Sequence, residues 1–238
     1  MTGPAYSIVV PVYNEEDNVP KLTKEITDVM SLLGKPYELI YVDDGSKDGS
    51  LEALKTVRKG NANIRVLVFE KNCGQSAALE AGIRNSRGEV IITLDADLQN
   101  DPADIPLLLE ALPPVDAVVG WRASRQDSLN KKMTSRTGNF LRNFILREKI
   151  HDTGCSLKAF KRHAVERLKL FRGMHRFLPA LVEAEGYSVV EVKVNHRPRV
   201  HGKTKYGFFD RFRATASDVF AVLWMKRRVS RYRIREEI

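Results

Sequence analysis

The chain has only two cysteines among 238 residues, Cys73 and Cys155. Their separation fits neither a disulfide framework nor a metal finger, so a stapled secreted scaffold and a structural zinc site are both excluded. Both thiols read as inert, and the scarcity fits a reducing compartment. Long apolar runs are missing as well. No stretch of about 18 consecutive apolar residues occurs, so no helix is expected to span a bilayer. The first twelve residues lack the basic start and extended apolar core of a secretory signal, and read as a strand. Repeats and low-complexity linkers are absent too. The expectation is one domain over 1–207 with an appendage over 208–238, in a cytoplasmic protein that is peripheral at the inner face of the cell membrane.

What is present is an ordinary globular mixture, 43% hydrophobic and 29% charged. The net charge of +9 is unevenly placed. From Lys203 onward there are ten Lys/Arg against four Asp/Glu, which leaves 29 against 26 for the rest. A basic C-terminal segment of this kind suits anionic lipid, phosphate or nucleic acid.

The first half alternates strand and helix patterns. Apolar strands are predicted at 6–12, 37–42, 64–69, 89–94 and 117–120, with helices at 14–33, 50–59, 75–85 and 105–112. Near-continuous apolar strands between helices indicate a mostly parallel sheet covered on both faces. Ligands of such sheets sit beyond the carboxyl ends of the strands. Those ends are polar here: Tyr13-Asn14-Glu15, Asp43-Asp44, Asp95-Ala96-Asp97 and Trp121-Arg122. The second half is less regular, with helices predicted at 130–146, 163–170 and 177–185 and strands at 157–160 and 188–194. A polar loop over 196–207 leads into a helix over 208–228.

Asp95-Ala96-Asp97-Leu98-Gln99 is the sharpest chemical feature. Two carboxylates two residues apart at a strand end form a hard oxygen cluster suited to Mg²⁺ or Mn²⁺ shared with phosphate oxygens. Such an ion neutralises charge on a departing diphosphate. Asp43-Asp44-Gly45-Ser46 can accept hydrogen bonds from ribose or a base, although turn and cap chemistry alone explains its Gly and Ser.

Four segments in order, Pro11–Glu15, Asp43–Ser50, Asn72–Leu79 and Asp95–Asp101, resemble the motifs of family 2 glycosyltransferases. Within that family the chain is most similar to the polyprenyl-phosphate type, which uses dolichol or undecaprenyl phosphate to accept mannose or glucose. The resemblance covers roughly residues 6–207. It implies the GT-A (nucleotide-diphospho-sugar transferase) fold, a Rossmann-like α/β domain. It also implies an inverting transfer from a UDP- or GDP-sugar to a polyprenyl phosphate. By the same resemblance Pro11, Tyr13, Glu15, Val42 and Asp44 surround the nucleoside. Asp95, Ala96 and Asp97 then lie at ribose, diphosphate and metal, and Asp97 and Gln99 are the metal ligands.

By the resemblance Arg122 counts among the donor-binding residues, in a stretch that lines the acceptor side, and Lys131, Ser135 and Arg136 hold the acceptor phosphate. Lys131 and Ser135 are i,i+4 neighbours on a predicted helix and can face one phosphate. A solvated basic helix face is the plain alternative. His196-Arg-Pro-Arg199-Val-His-Gly202-Lys-Thr-Lys205 resembles the family's basic loop, in which Arg199 and Lys205 clamp the donor diphosphate, with Thr204 in place of serine. Asp95, Asp97, Arg199 and Lys205 are therefore the expected catalytic set. An acceptor phosphate is already ionised near neutrality, so a dedicated base is less necessary.

The helix over 208–228 repeats Phe208, Phe209, Phe212, Ala216, Val219, Phe220, Leu223 and Trp224 beside Arg211, Arg213 and Lys226–Arg228. That is the composition of an amphipathic helix on a membrane surface. Packing on its own core, on a membrane partner protein or on a second copy of the chain is the alternative. Three rival functions stand beside the main one. A soluble family 2 enzyme acting on a glycolipid or polysaccharide hydroxyl needs a base, for which Asp152 is available. A nucleotidyltransferase leaves the 196–206 loop without a purpose. Nucleic acid is excluded as a partner, because clustered carboxylates at strand ends repel a phosphate backbone.

Overall fold

The computed structural model describes residues 3–123, 150–198, 208–228 and 236, with side chains from Ser217 onward in the last helix. The first four strands are β1 (Tyr6–Val12), β2 (Tyr37–Asp43), β3 (Ile64–Val68) and β4 (Val90–Thr93). Their β-branched, apolar runs suit strands buried on both faces. They alternate with α1 (Val19–Leu33), α2 (Ser50–Lys59) and α3 (Gln75–Asn85). Then come α4 (Ile105–Ala111), β5 (Ala117–Trp121), β6 (Lys158–Lys161), the single turn α5 (Arg162–Val165), α6 (Leu178–Ala184), β7 (Val189–Lys193) and α7 (Phe208–Arg228).

All seven strands form one sheet in the order β3-β2-β1-β4-β6-β5-β7. β1 pairs in parallel with β2 on one side and β4 on the other. Chain order therefore reverses direction at β1, and the crevice beyond the carboxyl ends of β1 and β4 is the topological switch point. β6 runs antiparallel to both β4 and β5, which the sequence reading did not foresee.

Side chains alternate across the sheet. Ile8, Val10, Leu39 and Tyr41 meet Leu22, Ile26, Leu54 and Leu108 in one apolar layer. Val9, Ile91 and Phe160 meet Leu79, Ile83, Leu178, Leu181, Val219 and Val222 in the other. Helix α3 lies so close to β1 that a Cβ on Gly82 would stand 2.2 Å from Val9 Cγ1.

Two predicted helices are shorter in the structure. The first begins at Val19 rather than at residue 14, because Asn14 takes a left-handed turn at φ 54°. Pro20 then starts α1 and Gly34, at φ 62°, ends it. The predicted helix 163–170 is one turn, after which Leu168 N bonds Val165 O and Leu170 drops into the second core layer. The predicted helix over 130–146 lies outside the described residues. In α7 the predicted single apolar face divides: Val219 and Val222 are buried in the core, whereas Phe220 and Trp224 are 67% and 63% exposed.

Candidate active site

The rim beyond β1 and β2 is tied together mainly through backbone N–H groups. Asn14 N donates to Ser46 Oγ at 3.0 Å, and Lys47 N returns a bond to Asn14 Oδ1 at 2.8 Å. Glu15 N donates to Ser50 Oγ at 2.8 Å and Gly49 N to Glu16 Oε2 at 2.7 Å. The segment after β1 and the segment after β2 are thus one unit. Asp44 adds the third: its carboxylate accepts from Asn72 Nδ2 at 3.0 Å, Cys73 N at 2.6 Å and Gly74 N at 2.9 Å. Gly74 sits at φ 94°, a conformation that only glycine adopts at no cost. Asp44 is 3% exposed, and its carboxylate holds the start of α3.

Among the other nucleoside candidates, Tyr13 and Glu15 are partly exposed on this rim. Pro11 stands in register with Val42 across β1 and β2. The Val42 side chain packs in a small cluster with Ile40 and Ala78, and the Ala96 side chain belongs to the main core.

Asp95 follows β4. Its N–H donates to Ser156 Oγ at 3.1 Å, and Gln75 Nε2 donates to its Oδ1 at 2.6 Å. Asp97 Oδ1 accepts from Gln99 N at 3.1 Å. Between them Leu98 holds a left-handed backbone, φ 60°, with a side chain 2% exposed. A buried leucine in that region is strained and persists only where its surroundings impose it. Burial and the Asp97 charge push the Asp95 carboxyl up to about 6, against the pull of Lys158, Ser156 and Arg122.

Two acids crowded at one rim are stabilised by a cation between them. Among the described residues no group of three or more His, Cys, Asp or Glu converges. The available donors are two carboxylates and the Gln99 amide, all hard oxygens. That set fits Mg²⁺ or Mn²⁺, which keeps waters and substrate phosphate in its remaining positions.

The other side of the rim is held by charge pairs. Arg122 forks onto Asp152, Nε to Oδ2 at 2.7 Å and Nη2 to Oδ1 at 3.0 Å, with side chains only 11% and 6% exposed. Asp152 N donates in turn to Glu191 Oε1 at 3.0 Å. His151 stacks on Trp121 with ring centroids 4.6 Å apart, and Lys193 Nζ lies 5.4 Å from the same Trp ring. Lys158 is 3% exposed and donates from Nζ to the Cys155 carbonyl. Burial pushes its pKa down, while the charges of Cys155, Asp95 and Asp152 hold it up.

The entry to the basic loop is fastened above Gln99. Arg197 N donates to Gln99 O at 2.9 Å. The Arg197 guanidinium reaches Asp101 Oδ1 at 2.6 Å and Glu25 Oε2 at 2.7 Å. Arg199, Lys205, Lys131, Ser135 and Arg136 lie outside the described residues.

The sequence places Gln75 within the Asn72–Leu79 motif and, by the same resemblance, Ser156 and Lys158 within a His151–Lys158 stretch on the acceptor side, but gives none of the three an individual role. The reason is geometric. Because β6 runs antiparallel, its beginning, not its end, lies at the rim, where the carboxyl-end rule does not point. A polar Ser156-Leu-Lys158 step into a short apolar strand was the available signal.

Such a rim, on a mixed sheet with its switch point at β1, defines a glycosyltransferase of the GT-A fold. The family described as Glycosyl transferase family 2 matches residues 7–169, and the chain belongs to that family. It is 40% identical over 227 residues to the dodecaprenyl-phosphate galacturonate synthase of Rhizobium johnstonii, covering 93% of this chain and 67% of that protein. It is 41% identical over 203 residues to the undecaprenyl-phosphate 4-deoxy-4-formamido-L-arabinose transferase of Pseudomonas aeruginosa, covering 84% of this chain and 60% of that one. These relatives are polyprenyl-phosphate sugar transferases, and the chain spans about two thirds of their length.

Among solved structures it is similar to the glucosyl-3-phosphoglycerate synthase of Mycobacterium tuberculosis in complex with Mn²⁺, UDP and phosphoglyceric acid. The TM-score is 0.71 at 18% identity, covering 96% of this chain and 80% of that one. It is also similar to a mannosyltransferase from Pyrobaculum calidifontis in complex with GDP-mannose and Mn²⁺, with a TM-score of 0.65 at 20% identity over 96% and 65% of the two chains. These two likenesses speak for the fold alone.

Proposed function

We propose that this chain carries the transferase site of an inverting glycosyltransferase. It moves a sugar from a UDP- or GDP-linked donor to a polyprenyl phosphate at the cytoplasmic membrane face. The observation that carries the reading is the Asp95–Asp97–Gln99 corner at the switch point, in a chain whose curated relatives act on prenyl phosphates. A phosphate oxygen of the acceptor attacks the anomeric carbon, the bond to the nucleoside diphosphate breaks, and configuration inverts. Asp97 and Gln99 would hold Mg²⁺ or Mn²⁺, which supplies charge neutralisation at the diphosphate. Tyr13, Glu15 and the β1–β2 rim position the nucleoside. Arg199 and Lys205 clamp the diphosphate, while Lys131, Ser135 and Arg136 receive the acceptor phosphate. Arg122 shapes the acceptor side through its fork with Asp152.

That fork also weighs against the hydroxyl-acceptor alternative. A carboxylate already accepting two guanidinium N–H groups is a poor general base. Residues 1–207 form the transferase and 208–238 its basic amphipathic appendage, which associates with a membrane or a partner. No helix among the described residues is long and apolar enough to cross a membrane. Phe220 and Trp224, four residues apart and exposed, stand with exposed Arg227 and Arg228 on the outer face of α7, a combination that suits anionic lipid.

Thermal-shift screening of UDP- and GDP-sugars with and without Mn²⁺ identifies the donor. Asp97→Ala is expected to fold normally and to lose transfer by about a thousandfold or more. Labelled sugar should appear in a solvent-extractable, mild-acid-labile lipid. Full activity of that variant removes the metal assignment, and label in a stable glycan instead removes the prenyl-phosphate acceptor.

A further inference from the structure

His175 and Ser76 form a pair outside the roles above. The short turn Met174–Phe177 packs on the start of α3. Ser76, 4% exposed, accepts from Gly173 N at 3.1 Å and from His175 N at 3.3 Å. With both lone pairs taken, its O–H has one use left, a bond to His175 Nδ1 at 2.8 Å. The ring is thereby fixed in the tautomer that carries its proton on Nε2. Burial, with the charges of Arg176 and Lys158, pushes His175 down to about 3. The imidazole is neutral throughout the working pH range. Among the described residues nothing accepts from Nε2.

The ring is tied to the same first turn of α3 that reaches Asp95. Ser76 follows Gln75, whose amide bonds Asp95 at 2.6 Å. One buried cation, Lys158, acts on both His175 and Asp95. We propose that His175 is a sugar-binding residue whose Nε2–H donates to a hydroxyl oxygen of the transferred sugar, beside the Asp95 carboxylate that accepts from a sugar hydroxyl. This rests on the donor reading above. A neutral donor next to an anionic acceptor complements hydroxyl groups, each of which gives and takes a hydrogen bond. A phosphate is better met by charged donors. The half-buried ring leaves Nε2 open to a ligand, and a donor with one fixed proton favours a sugar that places an acceptor oxygen against it.

The test is calorimetric titration, with Mn²⁺ present, of UDP, GDP, UDP-glucose and GDP-mannose into wild type, His175→Ala, His175→Gln and Ser76→Ala. Each nucleoside diphosphate should bind all four proteins alike. The sugar conjugate that wild type binds should weaken about tenfold in His175→Ala, the worth of one hydrogen bond. Glutamine, which restores an N–H, should recover most of the loss. Ser76→Ala should fall between, since its ring is no longer held in one tautomer. Unchanged conjugate binding by His175→Ala overturns the inference. Equal loss of diphosphate and conjugate, unrescued by glutamine, also overturns it by revealing a structural role. So does a wild type that does not distinguish conjugate from diphosphate. A wild type that takes up none of the four compounds sinks the donor reading itself.

Discussion

On the β1–β2 side of the rim, carboxylates and hydroxyls meet backbone N–H groups, as where Asp44 takes Cys73 and Gly74. On the β5–β6 side, buried carboxylates meet cations, as where Arg122 forks onto Asp152. The two solutions have different weaknesses. A backbone donor does not titrate and survives every substitution except proline, so the first side depends on close packing that keeps its loops in place. A buried ion pair is secure only while both partners are present, because either charge alone is costly to bury.

The largest effect should come from splitting the pair. Arg122→Met leaves Asp152 charged and 5% exposed, and urea titration should show a loss of about 3–5 kcal/mol. Adding Asp152→Asn should return part of it. If Arg122→Met alone is neutral, the contrast between the two sides fails. Next is Gly82→Ala on the packed side. Alanine favours helices, yet the new methyl meets Val9 at 2.2 Å, so a net loss of about 1–3 kcal/mol is expected in the same assay.

Glu38 sharpens the comparison, because it lies at the opposite end of β2 and combines both means. Burial raises its pKa, but bonds from Ser7, Arg65 and the Arg87 N–H outweigh this and hold it below the ordinary 4.5. A depressed carboxyl stabilises the fold above pH 4.5 and stops doing so as pH falls through its lower folded value. Glu38→Gln should therefore cost about 1–2 kcal/mol at pH 7. The gap to wild type should close as melting is followed below pH 4.5. The smallest effect belongs to Phe220→Ser with Trp224→Ser. Both side chains are mostly exposed, so stability should change by less than about 0.5 kcal/mol, while flotation with anionic vesicles should drop.

Much of this was legible from the sequence. The runs Tyr6–Val12, Ser50–Lys59 and Gln75–Asn85 are bounded in the structure where periodicity placed them, because each is one amphipathic or apolar unit between clear breakers. The acidic rim was equally visible, since polar residues stopping an apolar strand need little context. What escaped depended on partners distant in sequence. Nothing local to Lys158–Lys161 says that it pairs antiparallel between β4 and β5. The bonds that Asp44 takes from Asn72 and Gly74 likewise join segments far apart in sequence. Phe220 and Val219 are both apolar, and only the position of α6 decides which one is covered.

Leu98 carries one more consequence. The main chain between Asp97 and Gln99 passes through a turn held at a disfavoured angle, with the leucine side chain anchored in the core below. The backbone beneath the proposed ion site is therefore set by packing alone, and the side chains of Asp97 and Gln99 are the parts left to adjust to a ligand.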